Sequence, residues 1–208
     1  MVEHNGEDGN PEGLSFWQLI REDYAANGRD WTAPGFRALF VHRFGNARMR
    51  VRPKLLRAPL SIIYRWMYRR VRNVYGIELQ YTTRVGRRVA IDHQSGIVIH
   101  GASVLGDDVR LRQNVTLGVR SIDDLYGAPV LERGVDVGAG AVILGRVTIG
   151  DGATIGANAV VLTDVPSGAL AVGVPAKIIE RSARATAQVD ASGASADHAS
   201  VDTKKHDR

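Results

Sequence analysis

The sequence predicts an all-β solenoid of short parallel strands wound around a three-sided coil, preceded by a short α-helical region. Three observations predict it. Between Val85 and Val161 an aliphatic residue recurs at every sixth position. One register runs Val85, Ile91, Ile97, a second runs Ile99, Leu105, Leu111, Leu117, and a third runs Leu131, Val137, Ile143, Ile149, Ile155, Val161. Neither a helical face nor strand alternation gives a period of six, whereas a coil of stacked short strands does. A Gly or Asp suited to a tight corner follows the aliphatic residue at 86, 92, 106, 138, 150 and 156. Three residues further on, Val89, Ser95, Val109, Val115, Val135, Ala141, Val147, Ala153, Ala159 and Val165 supply a small or Val side chain. A β-sandwich would instead need alternating strands with turns every 8–12 residues or so.

The elements follow in order. Residues 1–13 read as a polar, acidic, disordered leader, and residues 14–75 as a helical N-terminal region. Within it Leu14 to Asn27 reads as a helix ending at Gly28. Pro34 starts a second helix with Thr32 as its cap, and Pro59 lies in the first turn of a third. Leu60, Ile63, Met67, Val71 and Val74 of that third helix form an apolar stripe, with Arg65, Arg69 and Arg72 on another face. The stripe is expected to close the open apolar end of the solenoid, and the basic amphipathic pattern also suits a membrane surface. Residues 76–180 form the solenoid domain, and residues 181–208 read as a disordered tail.

Composition narrows the chemistry. The absence of cysteine excludes a disulfide framework, a thiolate metal site and a cysteine nucleophile. No metal site is expected. The N-terminus lacks the pattern of a secretory signal and no apolar run is long enough to span a bilayer, so a cytoplasmic location is expected, with a peripheral inner-membrane contact through the basic helix. From Trp31 to Ile77 there are eleven Lys or Arg and no acid. Such a block recruits an anionic partner, or it lines solvated helix faces and subunit contacts. No nucleic-acid recognition motif accompanies it, so no nucleic-acid partner is expected.

The period breaks twice. The first break is Asp92-His93-Gln94-Ser95-Gly96, after which the register slips by two residues, and the second is the fourteen-residue step from Leu117 to Leu131. Breaks in an otherwise consistent pattern are where functional sites are expected.

The stretches IDHQSGIVIHGASVLGDDVRLRQNVTLG, GVDVGAGAVILGRVTIGDGATIGANAVVL and DVPSGALAVGVPAKII closely resemble serine O-acetyltransferases of the hexapeptide-repeat superfamily. The layout is also similar to that of colanic-acid and other exopolysaccharide O-acetyltransferases. The resemblance implies a left-handed parallel β-helix, a homotrimer with active sites between subunits, and acetyl-CoA as co-substrate. His93 matches the catalytic histidine, which would take the proton from an acceptor hydroxyl as its oxygen attacks the thioester carbonyl. Glu78 occupies the position of the carboxylate that orients that imidazole, and Asp92 is a second acid beside it, or only a corner residue. On the donor side the resemblance maps Ala139 and Ala157 to the pantetheine arm, Gly118 to the thioester oxygen and Lys177 to a CoA phosphate. Many of these glycines and alanines also serve plain corner geometry.

The second break departs from serine acetyltransferases. Counting back from Leu131, Gly127 and Ala128 stand where those enzymes carry the Arg and His that contact the amino-acid substrate. Loss of a carboxylate-binding guanidinium, a short N-terminal region and a C-terminus ending KKHDR together favour a sugar hydroxyl in exopolysaccharide biosynthesis as acceptor. On this reading no cysteine synthase complex is expected. Arg120 across the loop is an alternative carboxylate contact. Serine O-acetylation in cysteine biosynthesis is the second reading, and a non-catalytic β-helix scaffold a third.

Overall fold

The computed structural model describes residues 10, 11 and 13–180. The tail expected over 181–208, and most of the leader expected over 1–13, lie outside the described residues. Three helices, α1 (Phe16–Ala26), α2 (Pro34–Ala47) and α3 (Lys54–Arg70), precede fifteen strands. The first coil is β1 (Ile77–Leu79), β2 (Arg84–Val85) and β3 (Ala90–Ile91), and the second is β4 (Ile97–Ile99), β5 (Val104–Leu105) and β6 (Arg110–Leu111). The third is β7 (Thr116–Gly118), β8 (Val130–Leu131) and β9 (Asp136–Val137), and the fourth is β10 (Val142–Leu144), β11 (Thr148–Ile149) and β12 (Thr154–Ile155). A fifth coil of β13 (Val160–Val161), a bridge at Val165 and β14 (Leu170–Val172) is closed by β15 (Lys177–Ile179), which runs antiparallel to β14.

The strands stack into three parallel sheets, β1-β4-β7-β10-β13, β2-β5-β8-β11 and β3-β6-β9-β12-β14, the last extended by β15. The chain is therefore a five-coil parallel β-solenoid. The six-residue period is its physical cause. Leu79, Ile99, Leu117, Ile143 and Val161 share one inward column, and Val115, Ala141 and Ala159 form a second beside it, all buried. Left-handed backbone at the corners falls on residues that tolerate it, such as Asn114, Gly140 and Asn158.

One expected core position is not in the core. Ser95 is exposed with φ 90°, because the corner from Ile91 to Ile99 is two residues longer than the corner from Leu111 to Leu117 stacked on it. Ile97, paired with Ile77 and fully buried, fills the slot assigned to Ser95.

The helices also differ in detail from expectation. Ser15 caps α1 in a reciprocal box with Gln18, but Thr32 does not cap α2, since its hydroxyl donates to Asp30 instead. Helix α3 begins at Lys54, placing Pro59 inside it. The open end of the solenoid is covered by α2, which touches β1 and β3. A Cβ on Gly35 of α2 would lie 2.2 Å from the Ile91 carbonyl oxygen, so the close approach requires glycine. Helix α3 packs on α2 through Tyr64, and Val71 in the π-helical turn Val71–Tyr75 that follows is buried in the same core, while Ile63 of α3 and Val74 of that turn, both assigned to the core stripe, are exposed. A wholly buried ion pair between Arg43 of α2 and Asp23 of α1, 2.9 Å apart, completes the cap, with Arg43 also donating to the Val85 carbonyl at 2.7 Å.

Candidate active site

His93 stands on the bulged corner between β3 and β4, with φ 66° at His93, 90° at Ser95 and 67° at Gly96. Three left-handed residues within four are costly unless their surroundings fix them, and here they do. From below, the Ser95 amide donates to the Tyr75 carbonyl at 2.9 Å and the Ile97 amide to that of Gly76 at 3.0 Å. From above, the Asn114 amide donates to the Ser95 carbonyl at 2.9 Å, and a Cβ on Gly96 would meet Asn114 Oδ1 at 2.2 Å. The strand leading into the corner is pinned by Asn27 at the end of α1. Its Oδ1 accepts from the Ile91 amide and its Nδ2 donates to the Val89 carbonyl, both at 3.0 Å. The exposed His93 side chain has no polar partner among the described residues. The bulge presents an unengaged imidazole on a rigid mount.

The two acids are placed differently. Asp92 pairs with Arg110 at 2.7 Å across β3 and β6 and makes no bond to His93. That contact gives Asp92 a structural partner on the outer face of the third sheet. Glu78 lies in β1, two residues after the Gly76 that braces the His93 corner, and accepts a hydrogen bond from the Tyr68 hydroxyl at 3.3 Å. Burial, with the carboxylate second, pushes the Tyr68 phenol up to about 12, so it remains a donor. Within one protomer neither acid is bonded to His93.

The donor-side residues fall on two edges. Following the register from Ile91 through Leu111 and Val137 to Ile155, Ala139 and Ala157 stack along the corner edge that begins at His93. Lys177, exposed and paired in register with Val172, ends that edge in the fifth coil. With strands about 4.8 Å apart, four coil steps span about 19 Å. Gly118 lies on the opposite edge of the first sheet, at the end of β7, with its carbonyl accepting from the Gly145 amide at 2.9 Å. A single protomer thus brings His93, Ala139, Ala157 and Lys177 to one edge and leaves Gly118 on the other.

The second break is a loop at one corner, eight residues longer than the corner from Ile99 to Leu105 beneath it. Asp124 anchors it, held by Arg146 through both carboxylate oxygens at 3.1 Å. A Cβ on Gly127 would lie 2.1 Å from Asp124 Oδ2, and Ala128 is buried, so neither position presents a substrate contact. Arg120 leaves the same edge as Gly118, lies over Gly145, and is exposed without a carboxylate partner among the described residues. Sequence reasoning missed Asn27 and Gly35, which position the strand before His93. The Asn27-Gly28 pair carried a signal only for a helix end.

Comparison with known proteins agrees with this geometry. Residues 128–163 match the family described as bacterial transferase hexapeptide (six repeats). The chain is 37% identical over 171 residues to the serine acetyltransferase of Helicobacter pylori strain J99, covering 80% of this chain and 95% of that one. Among solved structures, soybean serine acetyltransferase complexed with serine is similar at TM-score 0.67 and 30% identity, over 79% of this chain and 70% of that one. The serine acetyltransferase of Brucella abortus strain S19 is similar at TM-score 0.66 and 29% identity, over 80% and 70%. The Helicobacter protein also corrects one expectation. A serine acetyltransferase matched over nearly its whole length removes a short N-terminal region as an argument against that family.

Proposed function

The chain belongs to the serine acetyltransferase family of hexapeptide-repeat transferases and is a CoA-dependent acetyltransferase, and we propose that its acceptor is the hydroxyl of L-serine. The observation that carries this reading is the rigid His93 bulge in a chain alike over nearly the full length of a serine acetyltransferase. An imidazole nitrogen of His93 takes the proton as the serine oxygen attacks the thioester carbonyl carbon of acetyl-CoA. The thioester oxygen lies at the Gly118 edge, where the absent side chain leaves room for it. The tetrahedral intermediate then collapses with rupture of the carbon–sulfur bond, and the imidazolium returns its proton to the CoA sulfur. The products are an acetyl ester and free CoA thiol.

The two separated edges support assembly as a homotrimer in which Gly118 of one protomer faces His93 of the next. Glu78, held by Tyr68, then orients the imidazole, while Asp92 keeps its corner role. Arg120 supplies the guanidinium for the serine carboxylate that Gly127 and Ala128 do not provide.

A second reading, acetylation of a sugar hydroxyl in exopolysaccharide biosynthesis, is favoured by those two positions. Incubation with acetyl-CoA and either L-serine or sugar acceptors, followed by thiol release, separates the two. Turnover of serine at ordinary enzymatic rates, on the order of 1–1000 per second, supports the first, and release only with sugars overturns it.

A further inference from the structure

Helix α3 carries an apolar stripe that the fold does not use. Leu55, Pro59, Ile62 and Trp66 follow one another at four-, three- and four-residue steps, and Leu56 and Ile63 run beside them. All six are exposed, with Leu55 at 89%, Ile62 at 65% and Trp66 at 66% of their full accessible surface. The buried contacts of the helix come from another face, through Tyr64 and the half-buried Leu60 and Met67. Soluble surfaces rarely present such a continuous row of large apolar side chains without a partner.

The charges beside the stripe are all of one sign. Lys54, Arg65, Arg69 and Arg70 are exposed and have no carboxylate partner among the described residues, and the segment from Trp31 to Ile77 contains no acid. The buried Arg43 and Arg48 have structural work, in the Asp23 pair and in stacking on Tyr64 and Tyr81, and belong to no such surface. Trp66 and Arg70 also edge a recess of about 290 Å³ lined by Trp31, Phe36 and Phe40, so the apolar surface continues inward from the stripe.

We propose that α3 docks flat on an anionic lipid bilayer, with the Leu55–Ile62–Trp66 stripe entering the acyl boundary and the adjoining Lys and Arg meeting lipid phosphates. At about 1.5 Å per residue the helix lies about 25 Å along the surface. No helix of the described residues is long and apolar enough to cross a membrane, so the contact is interfacial. Charge selects this occupant. A second copy meeting the same face would set arginine against arginine with no acid to compensate. A nucleic acid would use the cations and leave the leucines, isoleucines and tryptophan in water. A bilayer with acidic headgroups satisfies both halves at once. This inference does not depend on the identity of the acceptor.

The test is flotation of the full-length protein with vesicles of phosphatidylcholine alone and of phosphatidylcholine mixed with phosphatidylglycerol. The protein should float with the mixed vesicles, remain behind with the neutral ones, and dissociate as salt is raised. Arg65→Glu with Arg69→Glu should weaken partitioning at least about tenfold, each basic side chain near an acidic surface contributing about fivefold. Ile62→Ser with Trp66→Ser should abolish it while leaving every charge in place. Both variants should keep wild-type acetyl transfer in solution, which reports that they are folded. Equal partitioning to both vesicle types, or none to either, overturns the proposal. So does a change of oligomeric state in the serine variant without a change in vesicle binding, which would make the stripe a subunit contact.

Discussion

The Tyr68 hydroxyl donates to Glu78 Oε1 at 3.3 Å, tying α3 to the first strand of the solenoid next to the corner that carries His93. If Glu78 orients the imidazole across a subunit boundary, its charge matters more than its hydrogen bond to Tyr68. Glu78→Gln should lower kcat by about 10²- to 10⁴-fold with KM for acetyl-CoA nearly unchanged, as for the orienting acid of a catalytic triad. Tyr68→Phe should cost less than about tenfold. Equal kcat in Glu78→Gln and the wild type would leave Glu78 a purely structural partner of Tyr68.

Arg120 is expected to read the acceptor and not the donor. Arg120→Ala should lower kcat/KM for L-serine by about tenfold to a hundredfold, the worth of a charge-assisted hydrogen bond. KM for acetyl-CoA should stay put. A steady-state comparison varying each substrate in turn checks this.

The cap depends on a pair that tolerates no half-measure. Asp23 and Arg43 are both fully buried, and removing one partner strands the other's charge. Asp23→Ala should destabilise the protein by about 3–5 kcal/mol in denaturant unfolding. A loss under about 1 kcal/mol would mean that water enters the cap.

His42 gives a pH dependence of known sign. Its ring is fully buried with Nε2 against the Thr83 carbonyl at 2.9 Å, and burial, then the charge of Arg43, depresses it to about 3. In the unfolded chain a histidine titrates near 6.5 or so. Below that value the unfolded state binds the extra proton, so stability is full at neutral pH and falls as the pH drops toward about 3. At pH 5 this one group removes about 2 kcal/mol. His42→Gln should flatten the fall in melting temperature between pH 7 and pH 5, and an unchanged slope would assign the acid sensitivity elsewhere.

Gly35 couples the cap to the site. Since its absent Cβ would stand 2.2 Å from the Ile91 carbonyl oxygen and 2.8 Å from Ile91 Cβ, Gly35→Ala must push α2 away from the strand that leads into His93. A loss of about 1–3 kcal/mol is expected from overpacking, together with a lower kcat that a surface substitution of similar size would not produce.

The solenoid was legible because its period is a chain of local constraints: each aliphatic residue must turn inward every sixth position, and each corner must accept its backbone. The bulged corner that carries His93 was legible for the same reason, as an interruption of that period. Ser95 was misread because a period cannot say where two additional residues are absorbed. The bulge moved Ser95 outward and brought Ile97 into its slot. The role of α2 as the cap was hidden because its apolar residues point to several neighbours at once, while the stripe expected to close the coil is divided, with Val71 buried, Leu60 and Met67 half-buried, and Ile63 and Val74 exposed. The pairing of Glu78 with Tyr68 and of Asp92 with Arg110 lies between residues distant in sequence, and no local pattern announces such contacts. Position alone picks out Gly127 and Ala128 in the loop, whereas the exposure of Arg120 on the Gly118 edge shows only in the fold.

The role of His93 is tested by acetyl-CoA turnover with L-serine by wild type and His93→Ala, each first checked for folding and assembly. His93→Ala should keep its oligomeric state and melting temperature and lose at least about 10²-fold in kcat, the usual contribution of a general base. Wild-type turnover in His93→Ala would contradict it, and would make the bulged corner a feature of the coil and not of the chemistry.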